Sequence, residues 1–136
     1  VFKKVRNVFG MSIKVGPNNV VYEGVVKNVE KSLIPQVLIV TVESPDVKTT
    51  FDIHKMLKNF EVNDRVRITI SKVRPNFKEG VDLVMKGYIV SKKVGEGIYK
   101  LIISLWGFLL IVESKSDAIY NLFDYMDEIY FKVEVI

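Results

Sequence analysis

One aspartate–histidine pair has a spacing that could support acid–base chemistry. Asp52 lies two residues before His54, the only histidine of the sequence, and alternate residues of an extended segment lie on the same face. A Ser-His-Asp site would have to use His54, but the sequence has no nucleophile-elbow motif and no cysteine. We therefore interpret His54 as a surface histidine, or as part of a short segment that plugs the fold, and we expect no catalytic residue.

Acidic residues near the end of the chain are the candidate metal ligands. They are Asp117, Asp124, Asp127 and Glu128. Their spacing does not match a calcium-binding loop, and charged side chains are ordinary at helix ends. A single histidine without cysteines excludes a thiolate zinc site and a histidine-rich cluster. We therefore predict no metal site and no cofactor.

Aromatic residues are the candidates for contact with a partner. Trp106 is the single tryptophan, and it is either an anchor for a protein partner or a residue of the core or of a turn. Tyr88, Tyr99 and Phe108 could form a platform that stacks on nucleic-acid bases. Such aromatics are more often cross-strand pairs in a core, and both interpretations stay open here.

The charge balance is mildly basic. The formal net charge is +4 and the pI is about 9.2, values compatible with a nucleic-acid or an acidic protein partner. Apart from Lys3, Lys4 and Arg6 at the start, one basic series stands out and consists of Arg65, Arg67, Lys72, Arg74 and Lys78. This series is either the solvated face of a strand or a surface that follows phosphates.

The composition favours one β-rich domain. The chain has 136 residues, of which 23 are Val and 14 are Ile, and both types prefer pleated backbone. The lack of cysteine fits a reducing cytosol or a thermophile that avoids labile thiols. The apolar run 101–112 is too short to span a bilayer as a helix, which needs about 20 residues. With no secretory signal visible, we expect a cytoplasmic protein that does not bind membranes.

The order of segments predicts a barrel. About eight apolar runs of strand length follow one another, separated by turn residues and by one or two short helical segments. Closing such strands into a ring removes exposed sheet edges. We therefore predict a mainly β fold, a closed or nearly closed antiparallel barrel, in which residues 1–136 form one domain and residues 1–9 a possible N-terminal arm.

Two strands carry specific expectations. Strand 20–30 is expected to bend at Gly24, since glycine inside a strand often marks a bulge. Strand 65–71 alternates strictly, which places Val66, Ile68 and Ile70 inside and Arg65, Arg67, Thr69 and Ser71 outside.

The helical segments and turns carry expectations too. Residues 54–60 are expected to form one helical turn that plugs the barrel with Met56, Leu57 and Phe60. Residues 92–97 and Trp106-Gly107 are predicted to be turns. Ser116 is the expected N-cap of a helix that ends near Asp127; its apolar face consists of Ile119, Leu122, Phe123 and Met126.

The order of short motifs in this chain resembles that of one known family. The motifs are Phe51-Asp52-Ile53, the strand 66–71, Arg74-Pro75, Asp82-Leu83-Val84-Met85-Lys86-Gly87-Tyr88, Trp106-Gly107-Phe108-Leu109-Leu110 and the segment 116–136. No single motif is specific, but the ordered set resembles the small barrel subunit shared by the eukaryotic nuclear RNA polymerases and its archaeal counterpart, the G subunit of archaeal RNA polymerase. The resemblance covers residues 48–136 well and the first third by strand pattern. The compact early loops, without an acidic insertion, favour the archaeal branch.

This resemblance implies an oligonucleotide/oligosaccharide-binding type barrel that is not itself catalytic. It implies a protein that docks on the largest polymerase subunit, near the nucleotide entry pore, supports assembly and rigidity of the complex, and meets DNA and RNA only through that complex. No small-molecule substrate is implied. The docking residues that we predict are Trp106, Phe108, Tyr88 and Arg74. The alternative is a free-standing barrel that binds single-stranded nucleic acid, because one fold hosts many functions.

Overall fold

The computed structural model describes Lys3–Lys4 and residues 13–79 and 81–136. Lys3–Lys4 is a two-residue strand that pairs with Lys14–Val15. The other residues of the expected N-terminal arm, 1–9, lie outside the described part of the chain.

Ten strands and one α-helix make up the described residues. The strands are β1 (Lys3–Lys4), β2 (Lys14–Val15), β3 (Asn19–Lys31), β4 (Val37–Glu43), β5 (Val47–His54), β6 (Arg65–Ser71), β7 (Leu83–Gly95), β8 (Ile98–Leu105), β9 (Phe108–Ser114) and β10 (Glu128–Val135); the helix is α1 (Ala118–Leu122). A single 3₁₀ turn covers Lys55–Leu57. In the described ranges, no helix is long and apolar enough to cross a lipid bilayer.

Eight of the strands close into an antiparallel barrel. Their order is β3-β4-β5-β9-β8-β7-β10-β6, and a direct pairing of β3 with β6 joins the two ends. This result confirms the predicted mainly β fold and the closed barrel of about eight strands. The length of β3 makes closure possible, because β3 pairs with β6 up to Val25 and with β4 from Val25 onward.

The irregularity in β3 lies between Val26 and Asn28 and not at Gly24, where the sequence suggested a bend. This is the point at which β3 leaves one partner strand and continues with the other. An extra residue increases the local twist of a strand, and this twist suits a change of partner strand. Gly24 lies inside the segment that pairs with β6, where no change of partner occurs.

The inward faces of the strands form the hydrophobic core. Val66, Ile68 and Ile70 of β6 are fully buried, as their alternation predicts. Phe51 lies edge-on to two other rings, with centroid distances of 6.2 Å to Phe60 and 5.0 Å to Phe131. Because apolar side chains fill the interior, residues that bind a partner must lie on the outer face or at the barrel ends.

The outer face of β6 is partly covered, contrary to expectation. Thr69 and Ser71 are buried although they point outward, because the chain that follows β6 folds back over this face. Lys132 of β10 lies opposite Thr69, and its Nζ donates to the backbone carbonyl of Asn76 at 2.7 Å. The Ser71 hydroxyl accepts from the backbone N–H of Val73 at 3.1 Å.

The expected plug at residues 54–60 is smaller than the spacing suggested. Phe60 is buried, but Met56 and Leu57 are 84% and 55% exposed. The 3₁₀ turn has three residues, and so short a turn has no continuous face to bury. The predicted inward position of Met56 and Leu57 is therefore wrong.

Helix α1 also ends early, at Leu122 and not near Asp127. Phe123 has extended backbone, yet its side chain is fully buried, whereas Met126 is exposed and has a φ of 72°. The Asp127 carboxylate accepts from the backbone N–H of Asp124 at 2.9 Å. Local side-chain to backbone bonds of this kind compete with helix formation.

The start of α1 differs by one residue from the expected cap position. Asp117 occupies the N-cap position without a side-chain hydrogen bond. The Ser116 hydroxyl accepts from the backbone N–H of Ala118 at 3.1 Å, two residues ahead, which is the bond that an N-cap side chain makes. The predicted serine therefore caps the helix from one residue before the N-cap position.

The hairpin between β7 and β8 turns more tightly than predicted. β7 continues to Gly95, so the connection is Glu96-Gly97 and not the whole of 92–97. Both residues have positive φ, 54° and 78°, as in the two-residue turns that match the twist of the flanking strands.

Candidate docking surface

The connection between β8 and β9 is the second two-residue turn of this kind. Leu105 pairs with Phe108, and Trp106 and Gly107 between them have φ values of 56° and 94°. Positive φ suits glycine and asparagine, but it strains a bulky side chain. Trp106 is nevertheless 74% exposed, so its indole contributes little to the core in return.

Tyr88 supports the indole from the next strand. Its ring centroid lies 6.1 Å from that of Trp106, at 69° between the planes, which is an edge-to-face arrangement. Tyr88 lies opposite Ser104 of β8 and opposite Glu128 of β10. The neighbour of Tyr88, Gly87, is buried, so Tyr88 itself points out of the barrel.

Leu109 extends the same outer face. It lies opposite Ser104, which separates it from Tyr88, and it is 48% exposed. Its backbone N–H donates to the Asp52 carboxylate at 3.0 Å. Tyr88, Trp106 and Leu109 are called the Trp106 surface below. Exposed tyrosine and tryptophan rings in one patch are typical of the centre of a protein interface.

A second group of exposed apolar residues lies at the same end of the barrel. Its members are Leu33, Ile34, Met56 and Leu57, of which Leu33 is fully exposed. The backbone N–H of Lys55 donates to the carbonyl of Gln36 at 2.8 Å, which holds the β3–β4 hairpin beside the 3₁₀ turn. The pairing of Phe51 with Leu110 places the end of β5 next to the start of β9, and hence near Trp106.

Arg74 lies in a groove beside this surface. Its guanidinium carbon is 5.4 Å from the centroid of the Phe77 ring, and both residues line an open groove of about 520 Å³ together with Met56, Met85, Lys86 and Tyr130. Lys86 and Tyr88 are two positions apart on β7, so the groove and the Trp106 surface meet along one strand face.

The structure thus separates the four predicted docking residues into three environments. Tyr88 and Trp106 lie together, Arg74 lies in the groove, and Phe108 is half-buried and packs against the core. Sequence reasoning missed Leu109 and the exposed pairs Leu33-Ile34 and Met56-Leu57. One of these pairs had a signal in the sequence: Leu33-Ile34 is an apolar pair directly before Pro35, in a connection between two strands.

The Asp52 and His54 side chains, which were considered for acid–base chemistry, bond to different backbone groups and not to each other. The Asp52 carboxylate accepts from Leu109, and His54 Nδ1 accepts from the backbone N–H of Met56 at 3.1 Å. Each side chain therefore stabilises a local turn or strand end. Within residues 13–79 and 81–136, no three His, Asp or Glu side chains converge on one point.

The aromatic and basic residues do not form a nucleic-acid platform either. Tyr99 packs against Tyr120 with centroids 5.3 Å apart, away from Tyr88 and Phe108 in the sheet. Arg67 contacts Glu23 at 3.0 Å, and Arg65 contacts the same glutamate at 3.4 Å. A glutamate between two arginines of the series reduces the attraction for phosphates.

The fold and this surface define a class of protein: a small closed β-barrel with aromatic and apolar side chains exposed on its outer face. A sequence profile for the G subunit of DNA-directed RNA polymerase matches residues 19–136. The chain therefore belongs to this family of RNA polymerase subunits, as the order of motifs suggested.

Two curated proteins are similar to this chain over most of their length. DNA-directed RNA polymerase subunit Rpo8 of Sulfolobus acidocaldarius is 30% identical over 80% of this chain and 92% of its own. The subunit of the same name from Saccharolobus solfataricus is 26% identical over 80% of this chain and 87% of its own.

Among solved structures, a cytoplasmic molybdate-binding protein, ModG, aligns with 85% of this chain and 92% of its own at 13% identity. The TM-score of that alignment is 0.34, too low to bear on the fold or the function of this chain.

Proposed function

We propose that this chain is a non-catalytic structural subunit of an archaeal DNA-directed RNA polymerase that docks on the largest subunit through the Trp106 surface. It works in the cytoplasm, supports assembly and stability of the polymerase, and meets DNA and RNA only through the complex. Family membership supports the subunit role. The geometry of the Trp106 surface supports the docking role.

The observation that carries the docking proposal is the exposure of a strained tryptophan. An L-residue in left-handed backbone costs about 1–2 kcal/mol, and Trp106 is exposed, so core packing does not offset this cost. Tryptophan is, however, among the residues that contribute most when an interface covers them. A binding role therefore explains a residue that the turn alone disfavours.

The test compares two hairpin turns of the same backbone geometry. Trp106→Asn removes the indole and installs Asn-Gly, the pair best suited to such a turn. Glu96→Asn installs the same Asn-Gly pair in the β7–β8 turn and is the matched control. We expect Trp106→Asn to lower affinity for the largest polymerase subunit by about 30-fold, the size of an interface hot spot of about 2 kcal/mol. Glu96→Asn is expected to bind like the wild type.

Affinity is measured by titrating tagged chain onto the purified largest subunit, and folding of each variant is checked by urea unfolding. Full binding by folded Trp106→Asn would remove the Trp106 surface from the proposal. Failure of the wild-type chain to bind the largest subunit would remove that subunit as the partner.

A further inference from the structure

The groove that contains Arg74 is held open by bonds within the chain. One wall is formed by the 3₁₀ turn and the two residues that follow it, and the other is the loop after β6. The Asn59 side chain donates to the carbonyl of Val81 and joins the two walls. The loop is fixed further by a bond from the backbone N–H of Lys78 to the Asp82 carboxylate at 2.8 Å. A groove that exists before its ligand arrives lowers the ordering cost of binding.

Part of the groove lining is apolar. Met56, Met85 and Phe77 contribute to it, and Met56 is 84% exposed. Methionine side chains are flexible and polarisable, so they adapt to partner side chains of different shape. The groove can therefore hold a large apolar side chain without a precise fit.

The charge of the lining favours a carboxylate. Arg74 covers the face of Phe77, and stacking of this kind leaves the in-plane N–H donors of a guanidinium available. Among the described residues, no carboxylate lies within 4.0 Å of Arg74 and no acceptor takes its N–H groups. Arg74 itself is exposed.

The other charged groups of the lining are mostly paired. Lys86 contacts Glu128 at 3.3 Å, and Lys58 contacts Glu61 at 2.9 Å. The Asp82 carboxylate is buried and is already bonded to the backbone of Lys78. Glu79, the remaining carboxylate of the lining, is exposed. The lining thus holds three cationic side chains and two carboxylates. Among the described residues, the two lysines of the lining are paired, and the guanidinium of Arg74 can donate two parallel hydrogen bonds.

We propose that this groove binds a short segment of the partner polypeptide in which a large apolar side chain lies next to an aspartate or glutamate. The apolar side chain packs on Met56 and Met85, and the carboxylate accepts two hydrogen bonds from Arg74. This inference rests on the proposed function, because the groove continues into the Trp106 surface along the outer face of β7. One partner chain covers both.

Other kinds of ligand fit less well. A small molecule in the groove would leave the neighbouring Trp106 and Leu109 exposed, whereas a polypeptide covers them. Nucleic-acid bases need open aromatic faces, but Arg74 lies over Phe77 and Lys86 Nζ lies over Tyr130 at 5.7 Å.

The experiment measures the affinity of the chain for polymerase assembled without it. We expect Arg74→Glu to weaken binding by about tenfold or more, as loss of a buried charge pair does. Arg74→Lys is expected to give an intermediate loss, because lysine keeps the charge but not the planar fork. Lys93→Glu, which makes the same charge change at an exposed position of the β7–β8 hairpin, is the control and is expected to bind like the wild type.

A photo-crosslinking amino acid, p-benzoylphenylalanine, in place of Met56 identifies the occupant by mass spectrometry. We expect a cross-link to a polymerase segment with an acidic residue beside a large apolar one, and none from the same amino acid in place of Glu96. The proposal is overturned if Arg74→Glu binds like the wild type, if the cross-linked segment lacks an acidic residue, or if Arg74 is instead needed to bind an oligothymidine probe. If the wild type binds and only the groove results fail, the docking proposal stands without the groove.

Discussion

The Tyr22 and Thr49 side chains form a polar pair inside the apolar barrel. The two hydroxyl oxygens lie 2.7 Å apart, and both residues are buried. Each hydroxyl needs the other, because a buried polar group without a partner loses its hydrogen bonds to water and gains none. The pair therefore stabilises the fold only as long as both members are present.

A double-mutant cycle tests this pair. Tyr22→Phe and Thr49→Val each leave one buried hydroxyl unpaired, and we expect each to lower the free energy of unfolding by about 1–3 kcal/mol. The double variant is expected to be closer to the wild type than the sum of the single changes, since neither polar group remains. Urea unfolding followed by circular dichroism gives the four values. Strictly additive losses would contradict the pairing.

Burial also raises the pKa of the Tyr22 hydroxyl above its ordinary value of 10.0, and the hydrogen bond with Thr49 opposes this shift less strongly. The unfolded chain loses this proton above about pH 10 while the folded chain keeps it. The contribution to stability is therefore complete below about pH 10 and declines as the pH rises through the alkaline range.

We expect the free energy of unfolding of the wild type to fall above about pH 10 by up to about 1.4 kcal/mol per pH unit from this group. The Tyr22→Phe variant lacks the group and is expected to show a shallower decline over the same range. Urea titrations at about pH 9, 10 and 11 on both proteins measure the difference. Identical slopes would show that Tyr22 ionises equally in both states.

Among the elements of the barrel, one glycine sets the distance between β7 and β8. A Cβ added to Gly87 would lie 2.1 Å from the backbone carbonyl oxygen of Ser104 and 2.8 Å from Leu105 Cδ2. A Cβ on Gly95, near the far end of the same strand, would meet nothing within 4 Å. The glycine of the Val84-Met85-Lys86-Gly87 motif is thus required by strand packing.

This difference predicts unequal effects of the same substitution. Gly87→Ala is expected to lower the free energy of unfolding by about 1–3 kcal/mol or more, because backbone must move to admit the methyl group. Gly95→Ala is expected to change it by less than about 0.5 kcal/mol. Thermal and urea unfolding of both variants provide the comparison. Equal free energies of unfolding for Gly87→Ala and Gly95→Ala would mean that β7 and β8 can move apart at Gly87 without loss of stability.

The shortness of two helical elements explains why predictions of burial from sequence periodicity were wrong there. Met56, Leu57 and Phe60 have the spacing of one helical turn, but the 3₁₀ turn at Lys55–Leu57 is too short to bury Met56 and Leu57. Phe123 lies beyond the end of α1, yet it is fully buried. Burial at a barrel end depends on where the chain enters and leaves each strand, and spacing alone does not report this.

Across the molecule as a whole, carboxylates pair with part of the basic series 65–78. Arg65 and Arg67 both contact Glu23, and Lys72 contacts Asp127 at 3.6 Å. Three of the five basic residues of that series therefore have a carboxylate partner, which reduces the attraction for phosphates.

We predict weak binding of the isolated chain to oligothymidine, undetectable at about 0.15 M salt, in a filter-binding titration at two salt concentrations. Real phosphate contacts would weaken steeply as salt rises. Tight binding with such a slope, lost in an Arg65→Glu/Arg67→Glu variant, would favour the free-standing barrel over the docked subunit.

Residue patterns were sufficient to predict the strands, their inward faces and the closed barrel. Alternation is a property of neighbouring residues, since successive side chains of a strand point to opposite faces, so Val66, Ile68 and Ile70 could be assigned to the core from spacing. The family followed from the order of such segments.

The tertiary structure decides instead which outer side chains contact one another and which stay exposed. Arg74 and Met56 line one groove, and Trp106 and Tyr88 contact each other, although each pair is far apart in the chain. Thr69 and Ser71 became buried because a loop folds back over them. Closure of the barrel fixes these contacts between segments that are remote in sequence, and local periodicity carries no information about them.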